Sequence, residues 1–146
     1  MIRFEKYSEK FLPGVISIFR SNIPKYFFDF EEKELIEDLP EFHRTYFVMF
    51  LNDKIVGAGG YAINPDDTVS LCWGMVHNDF LKQNLGKALL EFRLSEIEKT
   101  YPGKTIVNFT SQHTTGFFEK YGFKIVSVTK DGFGPGLDNC KMELKK

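Results

Sequence analysis

The chain has little cysteine, no long apolar run and no surplus of charge of either sign. Each shortage removes a class of protein. Its two cysteines, Cys72 and Cys140, make neither a metal-ligand spacing nor a disulfide framework. A reducing, cytoplasmic setting is the expectation. Lys and Arg number 19 and Asp and Glu 20, a formal net charge of −1. Nothing electrostatic therefore argues for a nucleic acid or an anionic membrane surface as partner. The stretch Met1–Gly14 is charged and lacks the apolar core of a signal peptide. No apolar run approaches the ~20 residues of a membrane span. Three isolated histidines, His43, His77 and His113, do not make a metal site.

What the chain does have is aromatic carbon. Sixteen of its 146 residues are phenylalanine, whose usual place is a core. The length suffices for one compact domain, and no linker, repeat or low-complexity segment divides residues 1–146.

Apolar periodicity gives the order of elements. Met1–Tyr7 alternates as a strand, and Phe11–Phe19 has helical spacing with Pro13 in its first turn. Glu31–Leu39 reads as an acid-rich helix stopped by Pro40, its carboxylates on a solvated face. Thr45–Leu51 and Lys54–Ile63 form a hairpin across Asn52-Asp53; Gly57, Gly59 and Gly60 mark a bulge or a close backbone approach. Thr68–His77 is a third strand. A helix over Leu85–Lys99, a buried strand Thr105–Phe109 and a helix Ser111–Tyr121 follow, the last capped by Ser111 or Thr110 and ended by Gly122. Lys124–Thr129 and Asp138–Leu144 are strands around the loop Asp131–Gly136. The order is β-α-α-β-β-β-α-β-α-β-β, a mixed α/β domain with an antiparallel meander first and a parallel pair in the middle.

One turn has a chemical signature. Gln83-Asn84-Leu85-Gly86-Lys87-Ala88 lies between a buried strand and a helix. A glycine in the first helical turn lets a bound group approach the backbone, and the free N–H groups and helix dipole favour an anion there. Three readings of the glycine motifs as nucleotide-binding loops fail. Neither Gly86-Lys87 nor Gly103-Lys104-Thr105 has the first glycine of a P-loop, and no helix follows Gly132-Phe133-Gly134-Pro135-Gly136.

In that context Q-x-x-G-x-A resembles the acetyl-CoA motif of the GNAT superfamily of N-acetyltransferases. Phe117-Phe118-Glu119-Lys120-Tyr121-Gly122-Phe123 is similar to that family's F-Y-E-K-x-G-F block. The resemblance implies that acetyl-CoA is the co-substrate, with no metal. It implies that the third meander strand splays from the next parallel strand to admit the pantetheine arm. Met75, Val76 and His77 would then border the arm, residues Gln83 to Ala88 would hold the pyrophosphate, and Lys82 or Lys87 would add charge. The helix beginning at Ser111 would border the thioester, with Phe117 and Phe118 against the arm. The reaction implied is direct transfer to an amine of a small molecule or peptide, and a homodimer is allowed.

Departures from the family pattern leave the proton chemistry open. Phe118 stands where many members have an acidic tyrosine; Tyr121, one turn on, is the nearest phenol. Ser111 stands where an asparagine is common. The strand Thr68–Cys72 carries no glutamate base. Candidate bases are His113, His77, Cys72 and the Asp66-Asp67 turn; a histidine titrates near working pH. The acceptor wall would come from Tyr26, Phe27, Phe28 and Phe30, with Asp29, and from the loop Asp131–Asp138. Those aromatics read equally well as glue between helix and sheet. Two alternatives stay open: a CoA-binding sensor without catalysis, and an acyltransferase using another acyl group or an oxygen acceptor.

Overall fold

A computed structural model describes residues 1–42, 45–81 and 83–145. Among them, seven strands form one sheet: β1 (Ile2–Lys6), β2 (Tyr46–Leu51), β3 (Lys54–Ile63), β4 (Val69–Val76), β5 (Ile106–Thr110), β6 (Lys124–Gly134) and β7 (Leu137–Leu144). Their spatial order is β1-β2-β3-β4-β5-β7-β6. Strands β4 and β5 run parallel, and each other neighbouring pair is antiparallel. Helices α1 (Leu12–Ser21), α2 (Glu31–Phe42), α3 (Leu85–Thr100) and α4 (Thr115–Glu119) complete the mixed α/β order expected from periodicity.

The period-2 pattern of β2 sends alternate side chains to two cores. On one face Tyr46, Val48 and Phe50 meet Val15, Ile18 and Phe19 of α1 and Leu35 and Leu39 of α2. On the other, Phe47 joins Tyr61, Val69, Leu71 and Ile106 beneath Leu90 and Ile97 of α3. Met49 and Val56 lie under Leu85 and Leu89 at the start of that helix. The β2–β3 turn places Asn52 at φ 57, a left-handed conformation that asparagine tolerates.

Several boundaries differ from the sequence pattern. Helix α2 runs through Pro40 to Phe42. Proline removes one backbone donor, and so near the helix end that loss does not stop the last half-turn. Helix α4 is five residues, not eleven, and its N-cap is Thr114 instead of Ser111 or Thr110. The Ser111 hydroxyl accepts instead from the His113 N–H at 3.3 Å, in a tight turn ahead of the helix. Strand β6 continues through the expected loop to Gly134, with Asp131 at φ 54 and the register broken between Thr129 and Gly134. His43 lies outside the described residues.

The glycine cluster of β3 is a close approach and a register break together. Pairing with β4 shifts between Ala58 and Gly60. A Cβ on Gly60 would run into the Thr45 carbonyl oxygen and the Tyr46 ring. Gly60→Ala is therefore expected to cost about 1–3 kcal/mol, the range of overpacked cores, read as a lower urea midpoint. An unchanged midpoint would refute that contact.

Candidate active site

Strand β4 bonds to β5 through two pairs, Val69 with Ile106 and Ser70 with Val107. On its other edge β5 pairs with β7 along its whole length, and among the described residues the β5-facing edge of β4 from Leu71 to Val76 has no strand partner. The strands part around a cavity of about 710 Å³, within the usual range for small-molecule sites. It passes from α3 and the Ser111–Phe118 segment on one side to α2 and the chain before it on the other.

One end of the cavity lies at the Gln83–Ala88 turn, through Gly86. Asn84 takes φ 59 and ψ 18, left-handed, immediately before the helical Leu85. A left-handed residue leading into helix turns successive N–H groups to one side, an anion-binding nest. Atoms of the Phe117 ring lie 3.7 Å from where a Gly86 Cβ would be, so a side chain there would narrow the mouth. Gly86, Leu89 and Arg93 line the cavity in one row along α3. Leu85 is buried, Ala88 half-buried, and Gln83, Asn84 and Lys87 are exposed around the turn. Lys82 lies outside the described residues.

Met75, Val76, Ser111, Phe117 and Phe118 all line the cavity. The Val76 carbonyl already accepts a 3.0 Å hydrogen bond from Asn22 Nδ2, which ties the end of α1 to the parted strand. His77 is not among the lining residues. It caps the 3-10 turn Asn78–Phe80, its Nδ1 accepting from the Asp79 N–H at 3.1 Å. Tyr121 packs 5.4 Å from Phe117 in the α3-side core, also outside the lining. Asp66 accepts from the Thr68 hydroxyl at 2.6 Å and Asp67 pairs with Lys104 at 2.7 Å, so both are turn formers remote from the cavity wall.

On the far side Tyr26, Phe27, Trp73 and Phe133 supply the aromatic wall. Phe28 and Phe30 are not part of it; they stack on each other with centroids 5.1 Å apart, and Phe28 lies against Gly134. His113, exposed, stands edge-on to Tyr26 at 6.3 Å.

The carboxylates of α2 do not all face solvent. Glu31, Glu34 and Asp38 line the cavity at a spacing of three and four residues, one stripe of the helix. Glu31 is 8% exposed and accepts from the Phe28 N–H at 3.0 Å. Burial raises its pKa above the ordinary carboxyl value; the Phe28 N–H opposes the rise and Glu34 adds to it. Asp38 accepts from Trp73 Nε1 at 2.9 Å, and the Tyr46 hydroxyl donates to the Trp73 carbonyl at 2.8 Å. These bonds hold Trp73 at φ 42 in the parted strand.

Two buried side chains that line the gap each hold one donor atom without an acceptor. Arg93 is 4% exposed and Asn108 7%, and neither Arg93 Nε nor Asn108 Nδ2 has a hydrogen-bond acceptor. Burial pulls the Arg93 pKa down to about 10, which leaves it charged at neutral pH. Burial pushes the neighbouring Cys72 thiol up to about 11, against the pull of Arg93. A thiol held that high keeps its proton at neutral pH and cannot serve as a base there.

Sequence reasoning passed over Asn22, Glu31, Glu34, Asp38, Trp73, Arg93 and Asn108. Two signals were present. Arg93 stands midway between Leu89 and Ile97 in an otherwise apolar stripe, and Glu31, Glu34 and Asp38 keep one helical face. Asn22, Trp73 and Asn108 carry no such mark.

The comparisons with known proteins agree with this geometry. The family model of the acetyltransferase (GNAT) domain matches residues 14–146. The chain therefore belongs to the GNAT acetyltransferases, the acyl-CoA-dependent N-acetyltransferases. Solved structures superpose over nearly the whole chain. The ribosomal-protein-S18-alanine N-acetyltransferase of Escherichia coli has a TM-score of 0.82 at 22% identity, covering 99% of this chain and 94% of its own. An N-acetyltransferase from Staphylococcus aureus has 0.77 at 17%, covering 99% and 98%. A putative acetyltransferase from Salmonella typhimurium, solved with its cofactor acetyl-CoA, has 0.74 at 15%, covering 99% and 94%. No curated protein sequence matches the chain. Among the described residues no group of metal-ligating side chains occurs, and no helix is long and apolar enough to cross a membrane.

A carboxylate introduced at Gly86 would oppose an anion in the nest and crowd Phe117. Gly86→Asp is expected to weaken CoA binding at least about 100-fold by calorimetry, given one repulsive charge in place of an open helix N-terminus. Undiminished affinity would remove the turn from the site.

Proposed function

We propose that this protein moves the acetyl group of acetyl-CoA directly to a primary amine carried by a small molecule or a peptide. The observation that carries the reading is the cavity itself. It joins an anion-binding helix terminus at one end to a wall of carboxylates and aromatic rings at the other. The first suits a pyrophosphate. The second suits a cationic amine, which carboxylates attract and aromatic faces accommodate.

The residues present fit acetyl-CoA. The nest before α3 offers free N–H groups, and the unpaired edge of β4 offers backbone partners to an extended arm. Bound there, acetyl-CoA supplies a thioester whose carbonyl carbon the amine attacks, with loss of the C–S bond and departure of CoA as the thiol. The chain's part is to hold both reactants, remove the amine proton and exclude water.

Glu31 is the best-placed proton acceptor. It lines the cavity, is buried, and has a pKa raised toward the range in which a carboxylate works as a base. Glu34 and Asp38 extend the negative wall that would draw the ammonium form in. His113 stands at the Tyr26 end of the same cavity. Phe118 has no proton to give, so the leaving sulfur would take its proton from solvent or from the acceptor. The same reading keeps the protein in a reducing cytoplasm, where Cys72 and Cys140 stay free thiols.

Phe118, and the lack of any carboxylate on β4, also favour a second reading: a domain that binds CoA and transfers nothing. A panel of amines with acetyl-CoA, followed by release of free thiol, separates the two. Turnover is expected with amines of net positive charge. Tight CoA binding with no turnover across mono-, di- and polyamines and peptide N-termini would favour the binding-only domain.

Glu31→Gln is expected to lower kcat by about 100-fold or more, the usual worth of a positioned base. Its pH profile carries the sign. The base must be ionised, so wild-type activity should fall as pH drops through a pKa above the ordinary carboxyl value. That limb should vanish in Glu31→Gln. A variant with wild-type kcat and an unaltered limb would take Glu31 out of the chemistry.

A further inference from the structure

Asn22 closes α1 and lines the cavity, and it is only 5% exposed. Its Nδ2 donates to the Ile18 carbonyl at 2.9 Å and to the Val76 carbonyl at 3.0 Å. Those two carbonyls take both hydrogens of the amide, and they fix which end of the side chain is nitrogen. The oxygen, Oδ1, is left over. Among the described residues no donor reaches it, yet it is not sealed off. Such an oxygen takes its hydrogen bond from water or from a ligand.

The Val76 peptide supplies a matching donor. Val76 stands opposite Gly57 of β3, and the His77 N–H donates to the Val56 carbonyl at 2.7 Å. In an antiparallel ladder this makes Val76 and Gly57 a pair without mutual hydrogen bonds. The N–H and C=O of Val76 therefore both point away from β3, toward the parted edge. Asn22 takes the carbonyl, and among the described residues the N–H has no acceptor. Ser21 adds a second tie. Its Oγ donates to the Ile18 carbonyl at 2.7 Å and accepts from the Asn78 N–H at 3.0 Å. The end of α1 thus holds the end of β4 at two points, and the Val76 N–H is held with it.

Asn22 also belongs to the opposite side of the cavity. Its backbone carbonyl accepts from the Tyr26 N–H at 3.0 Å and from the Phe27 N–H at 3.3 Å. Both residues are in the aromatic wall, and the same segment leads through Phe28 to Glu31. One residue therefore ties the unpaired strand edge to the wall of rings and carboxylates. A thioester along the edge and an amine against the wall meet at this junction when a bond forms between them.

We infer that Asn22 orients the attacking amine: Oδ1 accepts one N–H of the acceptor, while Nδ2, through the Val76 carbonyl, keeps the Val76 N–H turned to the thioester oxygen. The inference rests on the proposed transfer from acetyl-CoA and adds a residue to it. A neutral primary amine has two N–H bonds. One goes to Oδ1 and the other to the base, which leaves the lone pair aimed at the carbonyl carbon. The N–C bond forms and the C–S bond breaks. The base takes the amine proton, and the leaving sulfur is protonated from solvent. Asn22 itself gains and loses no proton. A secondary amine has a single N–H and cannot satisfy both groups, so the site selects primary amines.

Butylamine and N-methylpropylamine are isomers that differ in this one N–H. Turnover of each with acetyl-CoA, read as free thiol, tests the inference. In the wild type butylamine is expected to have at least about tenfold the kcat/KM of its isomer, as one positioned hydrogen bond allows. Asn22→Ala should lower kcat/KM for butylamine at least about tenfold, erase most of that preference and leave acetyl-CoA affinity by calorimetry within about threefold. A role confined to building the fold would cost affinity and leave the preference as it was. Should Asn22→Ala fail to fold, Asn22→Ser, which keeps one donor and drops the amide oxygen, takes its place. Equal turnover of the two isomers by the wild type, or an unchanged preference in the variant, would overturn the role of Asn22 and leave acetyl transfer standing. Turnover of neither isomer while other amines react would overturn it too, because recognition would then lie away from the reacting nitrogen. CoA binding without turnover of any amine would overturn the transfer reading, and this role with it.

Discussion

On its β5-facing edge the backbone of β4 from Leu71 to Val76 must find hydrogen-bond partners without a neighbouring strand. Buried N–H and C=O groups cannot be left unpaired cheaply, so such an edge either closes, takes up water or receives a ligand. Here closure is prevented from several sides. Asn22 holds the Val76 carbonyl toward α1, Tyr46 holds the Trp73 carbonyl from the neighbouring core, and Arg93 lies against Gly74. The first two contacts use a side-chain hydrogen bond to do what a ladder would otherwise do. The cavity follows from that arrangement.

Much of this was legible because it is local. The turn before α3 declares itself in a few consecutive residues, and the block Phe117–Phe123 does the same. The alternation of β2 and the stripe of α3 gave the layers, since each period has one geometric meaning. The carboxylate wall was not legible in the same way. Charges on a helix default to solvent, and only the approach of Trp73 and the chain around Phe28 turns Glu31 and Asp38 inward. Pro40 misled for a related reason: it forbids a helix interior more strictly than a last half-turn. In α4 the expected first turn is spent on hydrogen bonds to the Ser111 side chain and from that of Thr114. Their effect depends on the tertiary course of the chain.

A formal net charge of −1 conceals a sharp division inside the molecule. One wall of the cavity bears three carboxylates from α2, and the other bears a buried guanidinium from α3. The sheet separates them, and the parted strands are where they meet through a common space. A field of this kind orients two reactants of opposite charge before any bond changes, because each is drawn to one wall and repelled by the other. Overall composition averages it away.

One glutamine has a wider reach than its exposure suggests. Gln112 donates to the Gly136 carbonyl at 2.9 Å and accepts from the Asp138 N–H at 2.9 Å, while its own backbone lies between Ser111 and His113. The hairpin that carries Phe133 is thus latched to a turn that lines the cavity. The two walls behave as one jaw and not two. Ordering of the turn by a first ligand would also set the hairpin, so the second ligand would meet a surface already arranged.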